Sequence, residues 1–195
     1  MTNFFQVKKK SKLSNARLGL INTAHGKINT PSFIFCGTKA TVKSVLPSQL
    51  KLARTQIILS NTYHLMLQPG SEIISKEGGL QSFTDWNGPM MTDSGGYQIF
   101  SLGYGSVSEE IKGKNNNAKR KSLIKITEDG ASFRNYINGD KVFLSPERSI
   151  ELQRDFGADL IFVLDECTPF NVSKKYTEKS MYMSHRWAER CINSC

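Results

Sequence analysis

Four short apolar runs, each closing on polar residues, constrain most strongly how this chain folds. TPSFIF (30–35) leads into Cys36-Gly37-Thr38, and TQIILS (55–60) into Asn61-Thr62-Tyr63-His64. PMMT (89–92) leads into Asp93-Ser94-Gly95-Gly96, and DLIFVL (159–164) into Asp165-Glu166-Cys167. Most of the runs are continuous rather than alternating in polarity, as strands buried on both faces are. Helix candidates lie between several of them. SPERSIELQRDFG (145–157) is the clearest: Ser145 can cap it, Pro146 suits the first turn, Glu147 complements the dipole and Gly157 ends it. Pro47 to Arg54 and Lys174 to Asn193 are further candidates. Residues 121–145 alternate in polarity, with turn signals at Asp129-Gly130 and Asn138-Gly139-Asp140, and read as a small antiparallel excursion.

Buried strands alternating with helices give an α/β fold with a parallel sheet. Polar residues gathered at the C-terminal ends of strands suit a (β/α) barrel or a doubly wound sheet. No G-x-G-x-x-G follows the first run, which lowers the dinucleotide-binding version. A closed eight-stranded barrel takes about 250 residues, and the chain has 195. The expectation is therefore a partial (β/α)8 TIM barrel, its first half, carrying the antiparallel excursion.

Hydrophobic residues make up 38% of the sequence and charged residues 22%, which excludes a disordered chain. No apolar run approaches the ~20 residues that span a bilayer, and the N-terminus lacks the apolar core of a secretory signal. A cytoplasmic protein is expected. Lys and Arg number 26 against 17 Asp and Glu, a formal charge of +9. That excess favours a polyanionic partner, or else it serves solubility alone. Much of it sits in KKKSK (8–12) and in KGKNNNAKRKS (112–122), which reads as an exposed loop. Cys36, Cys167, Cys191 and Cys195 have no metal-ligand spacing and read as isolated buried thiols.

TDSGGYQIFSL (92–102), SNTYHLMLQPG (60–70), LSPERSIELQ (144–153) and GADLIFVLDECTPF (157–170) together resemble the tRNA-guanine transglycosylases, or queuine tRNA-ribosyltransferases. The blocks agree in order and spacing from about Ala16 to Cys195. Residues 1–15 are then a basic N-terminal segment, and 16–195 the first, truncated portion of the barrel domain. The resemblance implies an enzyme that exchanges guanine at the anticodon wobble position of tRNA for a 7-deazaguanine base. It implies a covalent enzyme–ribose intermediate on an aspartate nucleophile, a homodimer for the full-length protein, and no membrane. No cofactor is expected in this chain. A structural zinc held by three cysteines and a histidine is implied for the C-terminal part, and the nucleophile and zinc ligands are placed beyond Cys195. The chain by itself is expected neither to catalyse exchange nor to close a barrel. Alternatives are a non-catalytic tRNA-binding partner subunit, or an archaeal-type enzyme acting elsewhere in tRNA.

By the same resemblance Asp93 takes part in base recognition and accepts a proton. Ser94, Gly95, Gly96 and Tyr97 complete that base-binding segment, and Asp165 is the second recognition aspartate. Elementary chemistry supports these roles. Guanine presents adjacent N1–H and amino donors, and a carboxylate, which only accepts, takes both. Adenine lacks that donor pair. Asp93 is suited to moving the protons of the exchange, and Tyr97 offers a face for stacking. The glycines let backbone and base approach closely. The structural alternatives are a turn or helix cap for Asp93, an ion pair with Arg186 for Asp165, and simple packing for Tyr97 and Cys167. His64 reads as a structural histidine and stays outside the site.

Overall fold

The computed structural model describes residues 3–104, 124–169 and 171–195. The lysine- and asparagine-rich loop lies outside them. The chain divides into two compact units, one of residues 1–92 and 153–161, the other of residues 93–152 and 162–195.

The first unit opens on an antiparallel meander, β1 (Phe5–Lys10), β2 (Arg17–Thr23) and β3 (Gly26–Thr30). In register, Phe5 faces Ile21, which faces Ile28. Ile28 is buried, and the Phe5 ring covers Gly19. At the other end Lys10 sits directly opposite Arg17. Like charges so placed repel across a ladder, and here solvent screens them. The sequence gives no strand signal for β1 because five of its six residues are exposed, so it lacks apolar alternation.

The expected parallel strands follow. β4 (Phe35–Cys36), β5 (Ile58–Ser60) and β6 (Met90–Thr92) pair in that order, all parallel. β5 and β6 occupy the C-terminal parts of their apolar runs, and β4 straddles the end of its own, with Cys36 just beyond it. The fourth run departs from expectation. Only Leu160 joins, as a single parallel bridge to Met91, and residues 161–164 lie outside any strand. Phe162 and Val163, read from sequence as buried, are exposed. The described strands thus form three open three-stranded sheets in a mixed α/β chain.

Between the parallel strands come α1 (Pro47–Leu52), close to its expected span, and three short helices, α2 (Thr62–Leu67), α3 (Ser71–Lys76) and α4 (Leu80–Phe83). The last three span fewer than two turns each, too short to show a 3.6-residue pattern. Ile57, Leu65, Ile74, Leu80, Met90 and Phe156 are almost fully buried in this unit. A buried carboxylate fastens its parts together. The fully buried side chain of Asp159 accepts from the Met90 N–H at 2.9 Å, the His25 N–H at 3.1 Å and Gln81 Nε2 at 3.2 Å. The His25 ring contacts the same carboxylate at 2.9 Å.

The second unit holds α5 (Gly96–Tyr104), the antiparallel sheet β7 (Lys125–Thr127), β8 (Gly130–Arg134) and β9 (Lys141–Leu144), the start of α6 (Pro146–Asp155), and α7 (Lys174–Asn193). The antiparallel excursion and the bounds of α7 are as the sequence indicated. Ser145 Oγ accepts the Arg148 N–H at 3.1 Å, capping α6 as expected. Arginines of α7 hold the sheet's first turn. Arg186 grips the Glu128 carboxylate through two bonds of 2.7 and 2.8 Å, and Arg190 donates to the carbonyls of Glu128 and Asp129. Arg190 also makes a two-pronged pair with Glu147, at 2.6 and 2.8 Å. That pairing lowers the Glu147 pKa to about 2. Cys191 is buried and Cys167 half-buried, while Cys36 and Cys195 are exposed, against the expectation of buried thiols. No described helix is long and apolar enough to cross a membrane.

Asp159→Ala removes the acceptor of the Met90 and His25 N–H groups and should destabilise the protein by about 3 kcal/mol. Burial acts to raise the Asp159 pKa, but the N–H groups of Met90 and His25 and the His25 side chain more than offset it, so the net shift is downward. The stability it supplies is therefore complete above the unfolded value of about 3.9 and is lost as pH falls through the lower folded value. Thermal melts of wild type and Asp159→Ala between pH 7 and pH 2 should converge at the acid end; a constant gap would show that the carboxylate charge is immaterial.

Candidate functional site

Asp93, Ser94, Gly95, Gly96, Tyr97 and Asp165 all belong to the second unit. Asp93 directly follows β6 and is half-buried. The chain then turns sharply into α5. Gly95 takes a φ of +87°, a conformation open to glycine at little cost. The buried Ser94 is fixed from two sides: its Oγ accepts the Gly96 N–H at 3.3 Å, and its carbonyl accepts the Ser149 hydroxyl at 2.9 Å.

Gly96 has a different reason for lacking a side chain. A Cβ there would stand 2.6 Å from the Asp165 carbonyl oxygen and 2.7 Å from its Oδ1. The structure therefore brings Asp165 directly against the D-S-G-G segment, although 69 residues separate the two in sequence. Room at Gly96 is taken up by the second aspartate itself.

Asp165 as a residue is exposed, yet burial around its carboxyl raises its pKa above the ordinary aspartate range. The ion pair with Arg186 considered from sequence does not form, because Arg186 is committed to Glu128. Among the described residues no ion pair holds Asp165. A partly desolvated acceptor with no neutralising cation is suited to a ligand that brings its own N–H donors.

Tyr97, on the first turn of α5, is 51% exposed, more open than its packing alternative required. Its ring centroid lies 6.1 Å from that of Phe100 at a 46° tilt, so the two rings do not stack. Sequence reasoning missed two neighbours. Ser149, fully buried on α6, holds the Ser94 carbonyl; a serine among apolar helix positions was its only signal. Gln98, next to Tyr97, carries a buried Oε1 without a hydrogen-bond partner among the described residues. No group of three or more His, Cys, Asp and Glu side chains among the described residues is placed to hold a metal ion, so these residues do not fit a zinc site.

Comparison with known proteins agrees with the residue pattern. The profile of the family described as queuine tRNA-ribosyltransferase matches residues 11–195. A protein of that name from Roseiflexus sp. is 45% identical over 193 residues, covering 98% of this chain and 48% of the relative. One from Staphylococcus haemolyticus is 47% identical over 186 residues, covering 95% of this chain and 44% of the relative. The chain thus spans slightly less than half the length of these relatives. With a match along nearly all of its own length, it belongs to the queuine tRNA-ribosyltransferase family.

Proposed function

We propose that the full-length gene product is a tRNA-guanine transglycosylase, and that this chain supplies its base-reading pocket. It exchanges guanine at the anticodon wobble position of tRNA for a 7-deazaguanine through a covalent double displacement, in queuosine modification. The observation that carries this reading is the seating of the Asp165 carboxyl against Gly96 of the D-S-G-G segment, with no cation paired to it among the described residues. Asp165 accepts from the N1–H and exocyclic amine of the base, Tyr97 stacks on it, and Asp93 moves protons as one base leaves and the next enters.

In the same reading β4, β5, β6 and the Leu160 bridge are successive parallel positions of a (β/α)8 barrel. Charge agrees with a tRNA partner. Lys8, Lys9, Lys10, Lys12 and Arg17 are exposed, and no ion pair neutralises them among the described residues. The full-length product is proposed to work as a cytoplasmic homodimer.

Two outcomes test this in the full-length gene product, by incorporation of labelled guanine into tRNA. Asp93→Asn should lower kcat by on the order of 1000-fold, the usual weight of a positioned acid–base group. Asp165→Asn turns an acceptor pair into one acceptor and one donor, and should lower kcat/KM for the base by on the order of 100-fold. Wild-type kinetics in either variant would remove that residue from the site.

Only the ionised Asp165 accepts both base donors. Because burial raises its pKa, guanine affinity should weaken as pH falls through a range above that of an ordinary aspartate. Titration calorimetry across pH 3.5–7 should show this acid limb in wild type and its loss in Asp165→Asn. An affinity flat across that range would contradict the assignment.

A further inference from the structure

We propose that Tyr176, Ser180 and Ser184 of α7 are positioning residues that fix Asp165 for base recognition. This rests on the assignment of Asp165 as the base-reading acid. The segment carrying Asp165 lies outside any strand, so its peptide groups need partners from elsewhere. α7 supplies them. The Glu166 N–H donates to Ser184 Oγ at 3.0 Å, the Ser180 hydroxyl donates to the Glu166 carbonyl at 3.3 Å, and the Tyr176 hydroxyl donates to the Glu166 carboxylate. On the other side of Asp165, the Leu164 N–H donates to Cys191 Sγ at 3.4 Å.

The spacing is regular. Residues 176, 180 and 184 are four apart, so they rise along one stripe of the helix in steps of about 6 Å. Such a stripe is ordinarily apolar where a helix packs inward. Here it carries hydroxyls, three of them directed at one residue adjacent to the acid. The opposite limit is Gly96, against which the Asp165 carbonyl and Oδ1 rest. Asp165 is thereby held between a helix of 20 residues and a glycine. A donor pair on a planar base tolerates little error: misplacement of a recognition group by about 1 Å can cost on the order of 100-fold.

The test uses the full-length gene product and guanine exchange into tRNA, with hypoxanthine as competitor. Hypoxanthine keeps the N1–H but lacks the exocyclic amine, so the ratio of the two bases reports the alignment of Asp165. Ser184→Ala should raise KM for guanine about tenfold and narrow the guanine-to-hypoxanthine preference, a partial loss on the scale of a modest misplacement. KM for tRNA should be unchanged, and Ser184→Thr, which keeps the hydroxyl, should restore both values. In an Asp165→Asn background, Ser184→Ala should add nothing further. Tyr176→Phe, which removes one oxygen, gives the same reading if Ser184→Ala does not fold. Unchanged guanine kinetics in a folded Ser184→Ala or Tyr176→Phe protein overturn the positioning role, provided Asp165→Asn still loses base recognition. An equal loss in the Asp165→Asn background overturns it too, since the effect then does not pass through Asp165. Intact base recognition in Asp165→Asn alone overturns the base-reading assignment itself.

Discussion

Residues 162–166 run through the second unit outside any strand, and the demand that their peptide groups be satisfied organises much around them. Strand neighbours would have supplied those bonds in a regular sheet. Here they come from side chains of α7, which is why a long amphipathic helix carries Ser180, Ser184 and Cys191 on its inner side. The same helix uses arginines to hold the β7–β8 turn and the first turn of α6. Its contribution is thus more polar than hydrophobic packing alone would predict. An unmade bond in such a network costs more than a made one gains, so each partner is specified closely.

The D-S-G-G segment illustrates how one short motif answers several separate requirements. Gly95 meets a backbone demand, a positive φ at the turn into α5. Gly96 meets a spatial one, leaving room for an acid far away in the sequence. Ser94 closes the turn through its hydroxyl and accepts Ser149 through its carbonyl. Asp93 and Tyr97, at the two ends of this fixed unit, are then the residues with surface to offer. Rigid support beneath and accessible side chains at the margin is the arrangement that precise recognition needs.

Much of this was legible in the sequence, and the residues show why. α6 and α7 announce themselves through Ser145-Pro146 and through twenty residues of amphipathic pattern ending at Asn193, signals that depend only on near neighbours. The parallel strands were visible as apolar runs, though the residues that pair begin late in the first two runs. β1 was invisible because an exposed edge strand of FQVKKK has no buried face to reveal it. The fourth run misled because apolar content alone does not say whether a strand waits beside it; Phe162 and Val163 are exposed instead. The two aspartates were singled out by resemblance alone. The contact that joins Asp165 to Gly96, and the commitment of Arg186 to Glu128, depend on tertiary placement, which no local pattern carries.

The Asp165–Gly96 contact also limits how this protein can change over generations. A Cβ at 96 would meet the carbonyl oxygen and Oδ1 of Asp165 well inside contact distance, so any side chain there forces the segment around 165 to shift. A small neutral residue at 165 would not open position 96 either, because the nearest obstacle, at 2.6 Å, is the backbone carbonyl oxygen of residue 165, which every residue there keeps. Glycine at 96 is thus demanded by the course of the backbone at 165 as well as by the acid carried there.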